Sequence, residues 1–115
     1  MNHHVRLVYV VWVIYWLAAI LPEIASADKQ FLWVTNSLGN DVHVIDVATH
    51  KVVHRLEVGP QPHGIAAPDD AHVVYIAIEN FEGPAGELQW VDPRTYKIRH
   101  RMKIGPKPNQ LACTP

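Results

Sequence analysis

Ile45–Ala66, IDVATHKVVHRLEVGPQPHGIA, and Val91–Ala112, VDPRTYKIRHRMKIGPKPNQLA, align at an offset of 46 residues without a gap, and 9 of their 22 positions are identical. The shared residues include Asp46/Asp92, Thr49/Thr95, Lys51/Lys97, His54/His100, Arg55/Arg101, Gly59/Gly105, Pro60/Pro106 and Pro62/Pro108. Val52/Ile98, Leu56/Met102 and Val58/Ile104 keep their apolar character. A repeat of this period makes the chain an array of like units, and the unit is what has to be read.

Within the unit, Lys51–Val58 alternates: Val52, His54, Leu56 and Val58 fall on one face, Val53, Arg55 and Glu57 on the other. Its copy places Ile98, His100, Met102 and Ile104 inside and Arg99, Arg101 and Lys103 outside. Period-2 alternation predicts a half-buried strand, and the charged outer face suits a sheet edge, where charge discourages pairing with other chains. Before it, Asp46 and Asp92 open turns in which a carboxylate accepts from amides two or three residues on, and Pro93 takes a favoured turn position. After it, Gly59-Pro60-Gln61-Pro62 and Gly105-Pro106-Lys107-Pro108 end the strand and mark a crossing between sheets, because proline has no N–H for a ladder.

Further out, Phe31–Thr35 and Asp41–Asp46 read as strands around the turn-prone Asn36–Asn40. A short strand follows at Gly64–Ala67, another at His72–Ile78, then an insertion at Asn80–Gly86 and a strand at Glu87–Asp92. Four short strands in each 40–50 residues is the blade of a β-propeller. The predicted fold is therefore all-β: about two four-stranded antiparallel blades.

These residues resemble the YVTN-repeat propeller family. Trp33-Val34-Thr35-Asn36 is similar to its name motif, Val42–Asp46 to its V-x-V-I-D, Thr49–Gly59 to its T-x-K-V-V-x-x-I-x-V-G, and Pro62–Ala66 to its P-x-G-I-A. The second unit departs from the pattern, with Tyr75–Asn80 in place of the name motif and Asn109-Gln110 in place of His63-Gly64. The resemblance implies blade one at 28–62 without its inner strand, blade two at 63–108, and the opening of a third at 109–115. It also implies that the missing inner strand is supplied at ring closure by the last segment of a longer chain. On this reading the segment is a fragment, natural at its N-terminus and cut at its C-terminus. Repeat arrays need about three units for stability, so the segment alone is expected to fold weakly or to self-associate through its open sheet faces.

Residues 1–27 stand apart. A short start bearing Arg6, the uncharged run Leu7–Leu21, and the small residues Ala25 and Ala27 form a secretory signal-peptide pattern, expected as a helix preceding the blades and cleaved after Ala27. The run falls short of the roughly 20 apolar residues a spanning helix needs. The reading places the rest of the chain in the periplasm or outside the cell, touching the membrane only during export. The net charge is −1, which gives no reason to expect nucleic acid. The basic stripe Lys97, Arg99, Arg101, Lys103 and Lys107 reads as a solvated strand face. The lone Cys113 excludes an internal disulfide framework and is expected to be an inert strand residue in apolar surroundings.

No G-x-S-x-G, H-E-x-x-H, phosphate loop or C-x-x-C-H occurs, and no catalytic set is assigned. Of the six histidines after residue 27, His54 and His100 share an apolar-face position and are expected as packed imidazoles that do not meet. Trp33 and Trp90 are expected in the core. His63 and, at the same repeat position, Asn109 are the ligand-binding candidates, because the resemblance puts them at the end of the central channel; no metal or cofactor is assigned. The functional expectation is a non-catalytic binding or scaffold module, partnered by the missing blades, by itself or by a periplasmic protein. The resemblance also admits an accessory of periplasmic redox metabolism, since haem-binding and quinoprotein-associated propellers are similar, and less strongly a propeller lactonase.

Overall fold

In a computed structural model, residues 28–114 are described; the leading segment with Ala25 and Ala27 lies outside them. They form seven strands: β1 Phe31–Thr35, β2 Asp41–Asp46, β3 Lys51–Glu57, β4 Pro62–Ala66, β5 Val74–Ile78, β6 Gly86–Asp92 and β7 Lys97–Ile104. The first three make an antiparallel sheet in the order β1-β2-β3, and the other four an antiparallel sheet in the order β4-β5-β6-β7. Among the described residues there is no helix.

The repeat seen in the sequence recurs in the backbone. Asp46 Oδ1 accepts from Ala48 N at 2.8 Å and Thr49 N at 3.0 Å, and Asp92 Oδ1 from Arg94 N at 2.8 Å and Thr95 N at 3.2 Å. Both turns end in a left-handed residue at the same repeat position, His50 with φ 57° and Tyr96 with φ 56°. Gln61 and Lys107, between the two prolines of each crossing, have φ 60° and 53°. Register carries over too: Trp33 pairs with Val44 as Tyr75 pairs with Trp90, which sets Tyr75-Ile76-Ala77 in the place of Trp33-Val34-Thr35.

Both outer strands carry an irregularity that simple alternation does not foresee. The ladder slips between Val44 and Ile45 opposite β3, and between Trp90 and Val91 opposite β7. In each case one extra residue, Val53 or Arg99, is accommodated as a β-bulge. Alternation therefore breaks there. Val52 joins Leu32 and Ile45 on one face of the first sheet, while His54 and Leu56 stay with Val44 and Val42 on the other. Ile98 likewise joins Val91 and Val74, away from His100 and Met102.

The core lies between the sheets. Each sheet has a forward face, turned toward the unit that follows, and a backward face. The forward face of the first sheet (Trp33, Val42, Leu56) packs on the backward face of the second (Ile65, Val74, Ile76, Ile78, Val91, Ile98), and Val58 closes the seam. Gln89 crosses it: fully buried, it donates from Nε2 to the Val58 carbonyl at 2.5 Å. Among the described residues its Oε1 has no hydrogen-bond partner. Tyr96 reaches back from the second sheet to stack on His54, centroids 4.0 Å apart, and lies against Trp33. Trp90 is only partly buried, and of the four inward positions expected for β7, His100 and Met102 are exposed while Ile98 and Ile104 are half-buried.

Candidate functional site

The two crossings position the site. Gln61 ties the first one together: its N–H donates to the Gly39 carbonyl at 3.0 Å, its carbonyl accepts from Glu79 N at 3.0 Å, and its Oε1 accepts from Phe81 N at 2.6 Å. β4 then starts at Pro62, with His63 second in the strand. Thr35 Oγ1, at the end of β1, donates to the His63 carbonyl at 2.8 Å and joins the first sheet to this strand.

His63 and Asn109, 46 residues apart, are brought together: Asn109 Nδ2 lies 3.3 Å from His63 Nδ1. The approach depends on Gly64. A Cβ at that position would sit 2.7 Å from the Asn109 carbonyl oxygen and 3.1 Å from Gln110 Cα, so a side chain there would push the two segments apart.

A third residue completes the cluster. Glu79, just past β5, is 4% exposed, and its Oε1 lies 3.0 Å from His63 Nδ1 and 3.2 Å from Asn109 Nδ2. A carboxylate so far out of water needs donors around it. An ionised carboxylate only accepts, so the Nδ1 proton of His63 and the Asn109 amide both point at it. That choice of tautomer leaves His63 Nε2 without a proton in the neutral ring, on a side chain 41% exposed. A histidine oriented through one nitrogen by a carboxylate presents the other as an acceptor or a metal ligand. Among the described residues no three His, Cys, Asp or Glu side chains converge to hold a metal ion; this cluster supplies two.

Glu79 was not singled out from the sequence. The available signal was a carboxylate directly after the apolar run Val74–Ile78, at the mouth of the insertion. The remaining histidines do different work. His54 and His100 do not meet: the first stacks on Tyr96, the second stands edge-on to Trp90 at 4.9 Å. His72 pairs with Asp70 in an exposed loop, and that contact holds the Asp70 carboxyl below its ordinary range. In the basic stripe, Arg99 pairs with Asp92 and Arg101 with Glu87. Cys113 is exposed and outside any strand, contrary to expectation, because the strand foreseen there is not formed.

Fold and site define an all-β protein of two stacked, repeat-related antiparallel sheets with a polar cluster where the crossings meet. No protein-family model matches the chain, and no curated protein matches it. Among solved structures, a chain of Kuenenia stuttgartiensis hydrazine synthase is similar in fold, with 21% identity and a TM-score of 0.62. The match covers 79% of the present chain and 28% of that one, so the chain spans little more than a quarter of its neighbour's length.

Proposed function

We propose that the two sheets are successive blades of an exported β-propeller of the YVTN-repeat kind, and that the protein is a binding module rather than an enzyme. The observation that carries this reading is the recurrence of backbone detail at 46 residues: the same bulge, the same Asp-capped turn and the same left-handed positions in both units. Units that repeat to this degree and bury a face only against their neighbour are the elements of a ring or an array. The fold likeness to the much longer hydrazine synthase chain supports it. The signal-like segment 1–27 supports a periplasmic or secreted location.

In this reading the ligand sits at the end of the ring axis, where consecutive units place His63 and Asn109 side by side over Glu79. The test is a titration of 15N-labelled protein with amino acids, dicarboxylates and divalent transition metals, following the His63 imidazole and the Asn109 amide. A ligand that moves both signals, and binds about 10-fold or more weakly to Glu79→Gln, is expected if Glu79 orients the contact. Binding that ignores the substitution, or signals that no probe moves, would remove the site and leave the propeller reading standing.

A second reading, an accessory of periplasmic redox metabolism, is favoured by the name of the structural neighbour and by the free Nε2 of His63. A visible absorbance band in the purified protein that His63→Ala abolishes would decide for it.

A further inference from the structure

Among the described residues, the forward face of the first sheet is covered and the forward face of the second is open. Tyr75, Trp90 and His100 form one row on that open face, with Tyr75 and Trp90 edge-on at 5.7 Å, and Leu88 and Met102 form the next. A groove of about 380 Å³ runs between Ala66, Tyr75, Leu88 and Leu111. At the other end of the stack, the backward face of the first sheet presents Leu32, Ile45, Val52 and Val34, with Leu32 55% and Val52 45% exposed. β1 is an edge strand there, whereas β5, in its place in the second sheet, is paired on both sides.

These two open surfaces are the halves of an interface the chain already contains. Register sets Trp33, Val44 and His54 against Tyr75, Trp90 and His100, and Leu32, Ile45 and Val52 against Val74, Val91 and Ile98. The contact made within the chain is therefore of the same kind as a contact between the open forward face and an open backward face.

We propose that the open face of the second sheet docks head to tail on the first sheet of a second copy of this chain. His50 of that copy, in the repeat position of Tyr96, stacks on His100 as Tyr96 stacks on His54. Residues 109–112, which repeat His63–Ala66 of β4, pair along the β1 edge of that copy, Leu111 opposite Val34 as Ile65 is opposite Ile76. Such a heterologous contact uses different surfaces on the two partners and closes into a ring or grows as a filament according to the rotation it imposes. The inference rests on reading the two sheets as successive repeat units and adds the occupant of the open face.

Sedimentation velocity on the full-length chain tests it with two variants. Leu32→Asp with Val52→Asp charges the backward face; His100→Asp with Met102→Asp charges the forward face. All four positions are exposed, so each variant should keep its sheets. The parent chain is expected to associate, each variant alone to sediment as a single chain, and an equal mixture to form a species of two chains and nothing larger, since each variant retains one intact half. A parent chain that stays single at every concentration overturns the proposal. So does either variant pairing with itself, which would mean a symmetric contact, or a mixture that stays single. Circular dichroism on the same samples separates the two readings: an intact β signal without association removes only the head-to-tail contact, whereas absence of the β signal in the parent removes the two-sheet reading as well.

Discussion

His54 and His100 occupy one repeat position, yet the first is a half-buried ring stacked on Tyr96 and the second an exposed ring beside Trp90. The same split runs along the whole face. Val44 is fully buried and Trp90 is not; Leu56 packs on the core, while Met102 is 44% exposed. Sequence pattern and strand geometry match in the two units, so neither causes the difference. What differs is the neighbour: among the described residues one face has a sheet laid over it and the other does not. The inward face of an outer strand is thus a property of the pair of units, and a single unit leaves its apolar positions in water.

Cutting into the seam between the sheets has the largest expected effect. Ile76 is fully buried between the sheets. Ile76→Ala removes buried apolar volume from a site with little room to collapse and is expected to cost about 2–5 kcal/mol in urea unfolding. Leu56→Ala, on the covered face, is expected to cost around 2 kcal/mol, and Met102→Ala, its exposed counterpart, less than about 1 kcal/mol. Both values hold where the chain sediments singly; equal losses for Leu56 and Met102 there would sink the contrast, whereas a Met102 loss that grows with association is what the head-to-tail contact requires.

The two left-handed turn residues divide in the same way. His50 and Tyr96 share a backbone conformation that glycine adopts without strain. His50 is exposed in the single chain, so at concentrations where the chain sediments singly His50→Gly is expected to change stability by no more than about 0.5 kcal/mol. Tyr96→Gly loses the stack on His54 and the contact with Trp33, and the expected cost is about 2 kcal/mol despite the same relief of strain. If thermal unfolding finds equal effects, the aromatic contact does not join the sheets. Gly64 and Gln110 form a third pair at one repeat position. Gly64→Ala must push back the Asn109 backbone and is expected to cost about 1–3 kcal/mol, with the Asn109 amide signal displaced. Gln110→Ala, an exposed change, should leave both untouched.

Much of this architecture is legible in the residues, and the parts that are not have a common cause. Asp46 and Asp92 declare their turns because a short carboxylate at a strand end has nearby amides to accept from, and both do so. Gly-Pro-x-Pro declares the crossings because proline cannot continue a ladder. The bulge at Val53 and Arg99 is silent: one residue is apolar and the other charged, and the offset arises from pairing with β2 and β6. Simple alternation therefore misassigned the face of Val52 and Ile98. Glu79 was silent for the same reason. Its burial comes from His63, Asn109 and the chain around Gln61, segments 16 to 30 residues away, and the apolar run before it marks only its position, not its partners.

The smallest expected effect separates the two Asp-capped turns by pH. Asp92 accepts from Arg99 as well as from the turn amides, and the Arg99 guanidinium is the largest cause holding its carboxyl far below the ordinary aspartate range. At the equivalent place beside Asp46 stands Val53, which offers no charge. A carboxyl whose folded pKa is depressed contributes stability above its unfolded pKa and loses that contribution as pH falls toward the folded value. Asp92→Asn should therefore lower the melting temperature slightly at neutral pH and flatten its fall on acidification below the ordinary aspartate range. Arg99→Val, which makes the second turn like the first, should reproduce most of that flattening while leaving the turn amides capped. Because the pair is exposed, added salt should shrink the difference. A melting curve in acid that is indifferent to both substitutions would mean that the two turns are equivalent in solution, and that Arg99 contributes nothing beyond its place in the bulge.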